Sequence, residues 1–362
     1  MEAVNRPNLA YVPALDGIRA VAILFVFLYH MGNLRGGWVG VDIFFTLSGY
    51  LITLILLNEY EARGSISIGQ FFFRRVCRLL PAVVLLICVA LAISFYSDDH
   101  FDDVKMDAIA SLFYVEDFRR AFWPLNVTGL APLWSLSVEE KFYLIWPFFL
   151  ILSLSFLGRK RSLYAVLSLI GLVIAWRLAV LFESTAPYYR IYFLFDTRID
   201  ELLIGSALAL WGYRPGKITL GPISRLWPLV VIFFTVVLVA VDPVANWVGV
   251  SGYPLIGAVT ACLIIIVTSK ETTFLSRVLT LAPLVALGRI SYGFYLWHYL
   301  VIRQLSLGGF LHIRVIAFAI TLVVAILSYH FIEQPILRFG RRALSADARP
   351  MESAALNSPA TQ

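Results

Sequence analysis

The chain has 362 residues, of which 60% are hydrophobic and only 14% are charged. Soluble domains contain about 45–50% apolar and about 25% charged residues, so this composition excludes an ordinary soluble protein and predicts one embedded in the lipid bilayer. The formal net charge of +6 does not predict a nucleic-acid partner, because the basic residues alternate with apolar segments as membrane topology requires.

Ten apolar segments predict an all-α integral membrane protein with about ten transmembrane helices. Most lysine and arginine residues of the connections fall on the side that holds both termini, which predicts cytoplasmic termini and a multi-pass protein of the cell inner membrane. We expect a membrane domain over 1–340 and a cytoplasmic, disordered tail over 341–362. The helices are predicted at 15–33, 37–58, 79–97, 134–156, 163–182, 191–212, 226–242, 253–269, 283–303 and 313–334.

The first predicted helix carries an arginine and a histidine, Arg19 and His30, about three turns apart. Their side chains therefore lie on nearly one face, separated by roughly 16 Å along the axis. Such residues inside a membrane are costly and usually functional. Asp42 in the second helix is expected at a depth similar to that of His30, where a carboxylate orients an imidazole and raises its basicity. We hypothesise that His30, oriented by Asp42, is the general base of an acyl transfer to a hydroxyl.

Three arginines, Arg74, Arg75 and Arg78, precede the third predicted helix on the cytoplasmic side. Guanidinium forks at neighbouring helical positions suit a phosphate ligand. This pattern favours an acyl-CoA donor, with its nucleotide at Arg75 and Arg78 near Arg19 and its pantetheine arm directed toward the histidine. Plain anchoring of a helix by cytoplasmic arginines is the alternative.

The fourth helix begins with Trp134 and Ser135 and then carries the adjacent carboxylates Glu139 and Glu140. Two carboxylates in an apolar helix are costly unless they are paired or line a cavity. We expect Glu139 to face a cavity as a catalytic candidate and Lys141 to pair with one of the two carboxylates.

Three later residues are further candidates: Arg198, His298 and Glu333. For Arg198 and Glu333, the structural alternative is an ion pair. The aromatic neighbours of His298 fit either packing or a sugar-stacking surface. The connection over 98–133 is acidic, which predicts a solvated external loop or a route for an acceptor. No cluster has the spacing of metal ligands, so no metal is expected.

Several stretches, taken in order, resemble the acyltransferase-3 family of multi-pass membrane O-acyltransferases. The family's motif of an arginine, ten residues and a histidine falls on Arg19 and His30, its arginine pair on Arg75 and Arg78, and its late glutamate on Glu333. The stretches are 15–19, 40–53, 73–81, 134–143, 291–298 and 331–335.

The resemblance implies a ten-helix fold that transfers acyl groups, often acetyl, from cytoplasmic acyl-CoA to a hydroxyl of a carbohydrate or glycolipid. Thr46 stands where a valine is common in the family. Many relatives carry a fused hydrolase-like domain outside the membrane, and we expect this chain to lack one.

A glycan or small-acid transporter, or a flippase, is the alternative function. It would use the same intramembrane charges along a permeation path but would not need a site for a CoA nucleotide. The sequence leaves open the acceptor, the acyl length, the oligomeric state, and the choice between direct transfer and a covalent acyl-histidine.

Overall fold

A computed structural model describes residues 11–97, 100–123, 126–183, 187–242, 248–305 and 311–344, and every regular element in these ranges is helical. Most of the predicted tail, from residue 345 onward, lies outside these ranges. The α-helices are α1 (Pro13–His30), α2 (Val39–Arg63), α3 (Ile68–Ser97), α4 (Phe101–Leu112), α5 (Glu116–Phe122), α6 (Leu133–Glu183), α7 (Pro187–Phe193), α8 (Phe195–Trp211), α9 (Trp227–Ala240), α10 (Tyr253–Thr268), α11 (Phe274–Leu279), α12 (Ala282–Arg289), α13 (Ser291–Leu305) and α14 (Leu311–Ser328).

Within the described residues, seven helical stretches are long and apolar enough to cross a membrane, which agrees with the predicted all-α membrane class. One of them, α6, has 51 residues and a non-helical Gly158 with φ 71° and ψ 169°. Because Gly158 leaves helical geometry, α6 consists of two helices that meet at a kink. These two helices correspond to the segments predicted at 134–156 and 163–182.

Three predicted segments differ from the observed helices. The segment 191–212 is divided into α7 and α8 at Leu194, which has extended backbone, and the segment 283–303 is divided into α12 and α13 at Ile290. Hydropathy does not detect a single residue that leaves helical geometry. Helix α3 begins at Ile68 rather than near residue 79, because its first turns carry the arginines and are not apolar.

The acidic connection between α3 and α6 is only in part the solvated loop that its composition predicts: Asp102 is exposed, but other acidic side chains are not. Its carboxylates Asp107, Glu116 and Asp117 are fully buried, and Arg119 and Arg120 both donate hydrogen bonds to Asp107. The exposed side chains of α5 and its flanks include several aromatic rings: Phe113, Phe118, Phe122 and Trp123. Ion pairing with arginine and lysine side chains therefore holds these three carboxylates inside the protein.

Helices α2 and α8 pack backbone to backbone at the centre of the molecule. A Cβ on Gly49 would lie 1.9 Å from the carbonyl oxygen of Leu202, and a Cβ on Gly205 would lie 1.9 Å from that of Thr46. Small residues permit such close approach between membrane helices. This contact brings the charged first turns of α8 against α2.

Gly205→Ala is expected to destabilise the protein by about 1–3 kcal/mol, because the new methyl group must push two helix backbones apart. Gly171→Ala is the matched control, since Gly171 lies in α6 with open space around its Cβ position. The midpoint of thermal unfolding in detergent measures both variants. Equal midpoints would show that the contact between α2 and α8 is not tight.

Candidate active site

A cavity of about 280 Å³ lies among α1, α2, α3, α6 and α13. Its cationic side is formed by Arg19, Arg75 and Arg78, and its polar lining includes Ser135 and Glu139. Most of the remaining lining is apolar: Val41, Phe44, Phe45, Leu51, Ile52, Ile55, Leu79, Leu136 and Leu296. The structure thus brings together five candidates that are up to 120 residues apart in sequence.

Two of the three arginines of the cavity have no close carboxylate to balance their charge. Arg19 pairs with Asp16 of its own helix at 3.3 Å. The Arg75 guanidinium lies over the ring of Tyr143 at 5.0 Å from its centroid. In the part of the chain that the structure describes, neither Arg75 nor Arg78 has a carboxylate within the 4.0 Å of an ion pair. A phosphate or carboxylate ligand is the partner that such a pair suits.

Arg74 does not belong to this cavity. Its guanidinium lies 3.5 Å from Gln70 and 3.5 Å from Glu59, and its side chain is 42% exposed. Consecutive helical positions point about 100° apart, so Arg75 faces the cavity while its neighbour faces away.

Glu139 lines the cavity, as expected, and its carboxylate interacts with Ser48 and Tyr143. The adjacent Glu140 is not among the lining residues. Lys141 donates a hydrogen bond to Asp117 of α5, so the expected pairing of this lysine within its own helix is wrong. Adjacent residues of a helix do not face each other, whereas α5 packs directly over this turn.

His30 and His298 form a pair at one end of α1. The Nδ1 atom of His30 lies 3.0 Å from Nε2 of His298, and Nδ1 of His298 lies 2.5 Å from the carbonyl oxygen of Tyr295. Neither histidine is among the residues that line the cavity, but the Tyr295 ring lines it and lies 5.4 Å from the His298 ring. Tyr295 therefore connects the cavity to the histidine pair.

The Tyr295 hydroxyl is held by two hydrogen-bond partners. It donates to the carbonyl oxygen of Pro132 at 2.9 Å and lies 2.6 Å from the Ser135 hydroxyl. Ser135 is thus both a lining residue and a partner of the tyrosine. Tyr295 was not among the residues predicted for the site, although its position three residues before His298 places both on one helical face.

Contrary to the prediction, Asp42 does not lie against His30. Its Oδ1 atom accepts a hydrogen bond from Arg198, which also lies 3.3 Å from Glu201 and donates to the carbonyl of Tyr192 at 2.9 Å. The glycine-mediated packing of α2 on α8 brings this permanent cation to Asp42. The partner of His30 is a second histidine instead.

The Arg198 guanidinium is enclosed by aromatic rings. It lies 3.9 Å from the ring centroid of Tyr253 and 5.6 Å from that of Trp134, so Trp134 packs on this ion pair and does not line the cavity. A second buried pair joins Arg177 of α6 to Asp200 of α8 at 2.5 Å. Arg177 was not among the predicted site residues. Its signal in the sequence is that of a lone arginine in an apolar segment, which needs a partner from another helix.

Glu333 lies behind the cavity wall. Its Oε1 atom accepts a hydrogen bond from Ser328 at 3.4 Å, and a Cβ on Gly293 of α13 would lie 3.0 Å from it. Its carboxylate also interacts with Arg78. Glu333 is therefore placed to support α13 and one arginine of the cavity.

Sequence comparisons identify the family of proteins to which this chain is similar. The chain is 38% identical to a putative peptidoglycan O-acetyltransferase of Bacillus subtilis, named YrhL, over 92% of the chain and 56% of that relative. It is 35% identical to the peptidoglycan O-acetyltransferase OatA of Listeria monocytogenes, over 94% of the chain and 58% of that relative. A putative O-acetyltransferase of Staphylococcus aureus is 34% identical over 93% of the chain and 59% of its own length.

The chain spans about half the length of the curated relatives it matches. No solved structure matches it. A sequence profile described as an acyltransferase domain matches residues 12–330. This match extends over nearly the whole chain and includes every residue that lines the cavity, which shows that the chain belongs to the acyltransferase-3 family of enzymes.

Proposed function

We propose that this protein is a membrane O-acetyltransferase that moves an acetyl group from cytoplasmic acetyl-CoA to a hydroxyl of a cell-envelope carbohydrate. The observation that carries the proposal is the placement of three arginines and Glu139 in one cavity that Tyr295 connects to the pair of His30 and His298.

The proposed donor site is the arginine side of the cavity. Its volume of 280 Å³ is small for a whole CoA molecule but suits an acyl-pantetheine end. Arg75 and Arg78 would hold the phosphates at the mouth, since neither has a carboxylate within 4.0 Å among the described residues. The apolar lining beyond them suits the pantetheine arm. The residues present therefore fit an acyl-CoA donor.

The proposed chemistry needs one base. The His30 imidazole takes the proton of the acceptor hydroxyl as its oxygen attacks the thioester carbonyl. A C–O bond forms and the C–S bond breaks, and the CoA thiolate leaves and receives the proton from His30. Hydroxyls and cations near the carbonyl would stabilise the developing oxyanion. His30 and His298 lie beyond Tyr295 as seen from the cavity, so we expect the Tyr295 ring to move aside for the thioester to reach the proposed base.

The proposed acceptor is reached from outside the cell. We infer ten membrane spans with both termini in the cytoplasm, because most lysine and arginine residues then lie inside. Arg19 is then near the cytoplasmic end of α1 and His30 near its outer end. The names of two relatives specify peptidoglycan, so we take peptidoglycan as the first acceptor to test.

The test uses the purified full chain in liposomes, with acetyl-labelled acetyl-CoA on the side of the termini and peptidoglycan fragments on the other. We expect CoA thiol to appear with the donor and labelled acetyl ester with the acceptor. Transport of an intact sugar without release of CoA thiol would favour the transporter or flippase and overturn the proposal. Acetyl label trapped on the protein before the acceptor is added would show that the reaction passes through a covalent intermediate and not by direct transfer.

Arg75→Ala is expected to weaken acetyl-CoA binding about 10- to 100-fold, because one charge-assisted hydrogen bond contributes about 1.5–3 kcal/mol. Arg74→Ala is the matched control, since the Arg74 guanidinium lies against Glu59 outside the cavity. Calorimetric titration of both variants in nanodiscs measures the Kd. Equal losses in the two variants would indicate a general effect of cytoplasmic charge and not a built site.

A further inference from the structure

We infer that His298 is a positioning residue that holds His30 in the tautomer with the proton on Nδ1, so that the lone pair of Nε2 is the base. The inference rests on the proposed role of His30 and assigns a cause to its orientation.

The proton on His298 is located by its backbone partner. The carbonyl oxygen of Tyr295 lies 2.5 Å from Nδ1 of His298, and a carbonyl oxygen can only accept. Nδ1 of His298 must therefore carry a hydrogen. The His298 side chain is fully buried, and within the described ranges no carboxylate lies within 4.0 Å of either ring. The burial favours the neutral ring, which has one N–H only.

The proton on His30 then follows. With its hydrogen on Nδ1, His298 offers a lone pair at Nε2, which lies 3.0 Å from Nδ1 of His30. Nδ1 of His30 must donate across this contact. The neutral His30 ring carries one N–H only, so a hydrogen on Nδ1 leaves Nε2 of His30 unprotonated.

This arrangement has a consequence for the proposed reaction. When His30 gains a proton at Nε2, its Nδ1–H faces a lone pair whose own ring is tied to a carbonyl, so a chain of aligned dipoles stabilises the imidazolium. A carboxylate commonly orients a catalytic histidine in this way. Here Asp42 is engaged by Arg198, and a second histidine takes that position.

Two substitutions separate positioning from packing. His298→Gln can present its amide oxygen near the former Nε2 position and accept from His30. His298→Asn is shorter, occupies the former Nδ1 position and leaves His30 without this acceptor. We expect kcat to fall about 10- to 100-fold in His298→Asn with the KM for acetyl-CoA unchanged, and to recover most of this loss in His298→Gln.

The tautomer is measured directly by NMR of the full chain with nitrogen-15 in its histidine rings. The chain has five histidines, and the His30→Ala variant assigns the signal of interest. We expect the Nδ1–H form of His30 in the unaltered protein and in His298→Gln, and a mixture of tautomers in His298→Asn.

Three results would overturn the inference: an Nε2–H tautomer of His30 in the unaltered protein, unchanged kcat in His298→Asn, or equal losses of kcat and thermal stability in both variants. The NMR measurement needs no substrate. Failure of the proposed acetyl transfer would therefore leave the tautomer assignment to be decided separately.

Discussion

His30→Ala is expected to lower acetyl transfer by about 10²–10⁴-fold, because a positioned general base contributes about that factor. The donor should still bind with an unchanged Kd, since His30 is not among the residues that line the arginine cavity. The measurement is release of CoA thiol under saturating acetyl-CoA, together with a calorimetric titration of the donor.

The matched control for this prediction is His330→Ala. His330 lies in the π-turn after α14 and its side chain is exposed. Its loss should leave transfer and donor binding unchanged. If His30→Ala turned over at the rate of the unaltered protein, the base would have to be another residue, and Glu139 would be the next to test because it lines the cavity.

Arg198→Leu is expected to destabilise the protein by about 3–5 kcal/mol, because it leaves Asp42 and Glu201 as buried carboxylates without their shared cation. Within a membrane protein no water replaces that partner. The free energy of unfolding, measured by titration with SDS from a mild detergent, tests the prediction. The double variant Asp42→Asn with Arg198→Leu should recover part of the loss, since one unpaired charge is removed.

Arg190→Leu provides the comparison. Arg190 pairs with Asp196 at 2.5 Å near the start of α8, but the aspartate side chain is 44% exposed. Exposed pairs contribute about 0–1 kcal/mol, so this substitution should have a small effect. A small loss in Arg198→Leu as well would mean that its aromatic enclosure, and not its charge, holds α8 against α2.

The two expected results concern two separate sets of buried polar residues. One set comprises the histidine pair and the arginine cavity, which would carry the chemistry. The other comprises the pairs of Arg198 with Asp42 and Arg177 with Asp200, which join α2, α6 and α8. This separation explains why the membrane tolerates so many charges: those outside the proposed reaction satisfy one another.

The class of the fold could be predicted from the sequence because apolar length alone specifies a membrane helix. The sequence was a poorer guide to which side of α3 faces a ligand. The sequence grouped Arg74 with Arg75 and Arg78, and the structure places only the last two in the cavity. The helix extends further than its apolar segment, and only its packed orientation decides which arginine points inward.

By itself, the sequence determined the membrane class, the family motifs and most of the residue types of the candidate site, since each depends on local pattern. The tertiary structure decided the partners. Close glycine contacts between α2 and α8 assign Asp42 to Arg198, and the approach of α13 to α1 assigns His298 to His30. Partner choice depends on contacts between residues far apart in the chain, which no local periodicity encodes.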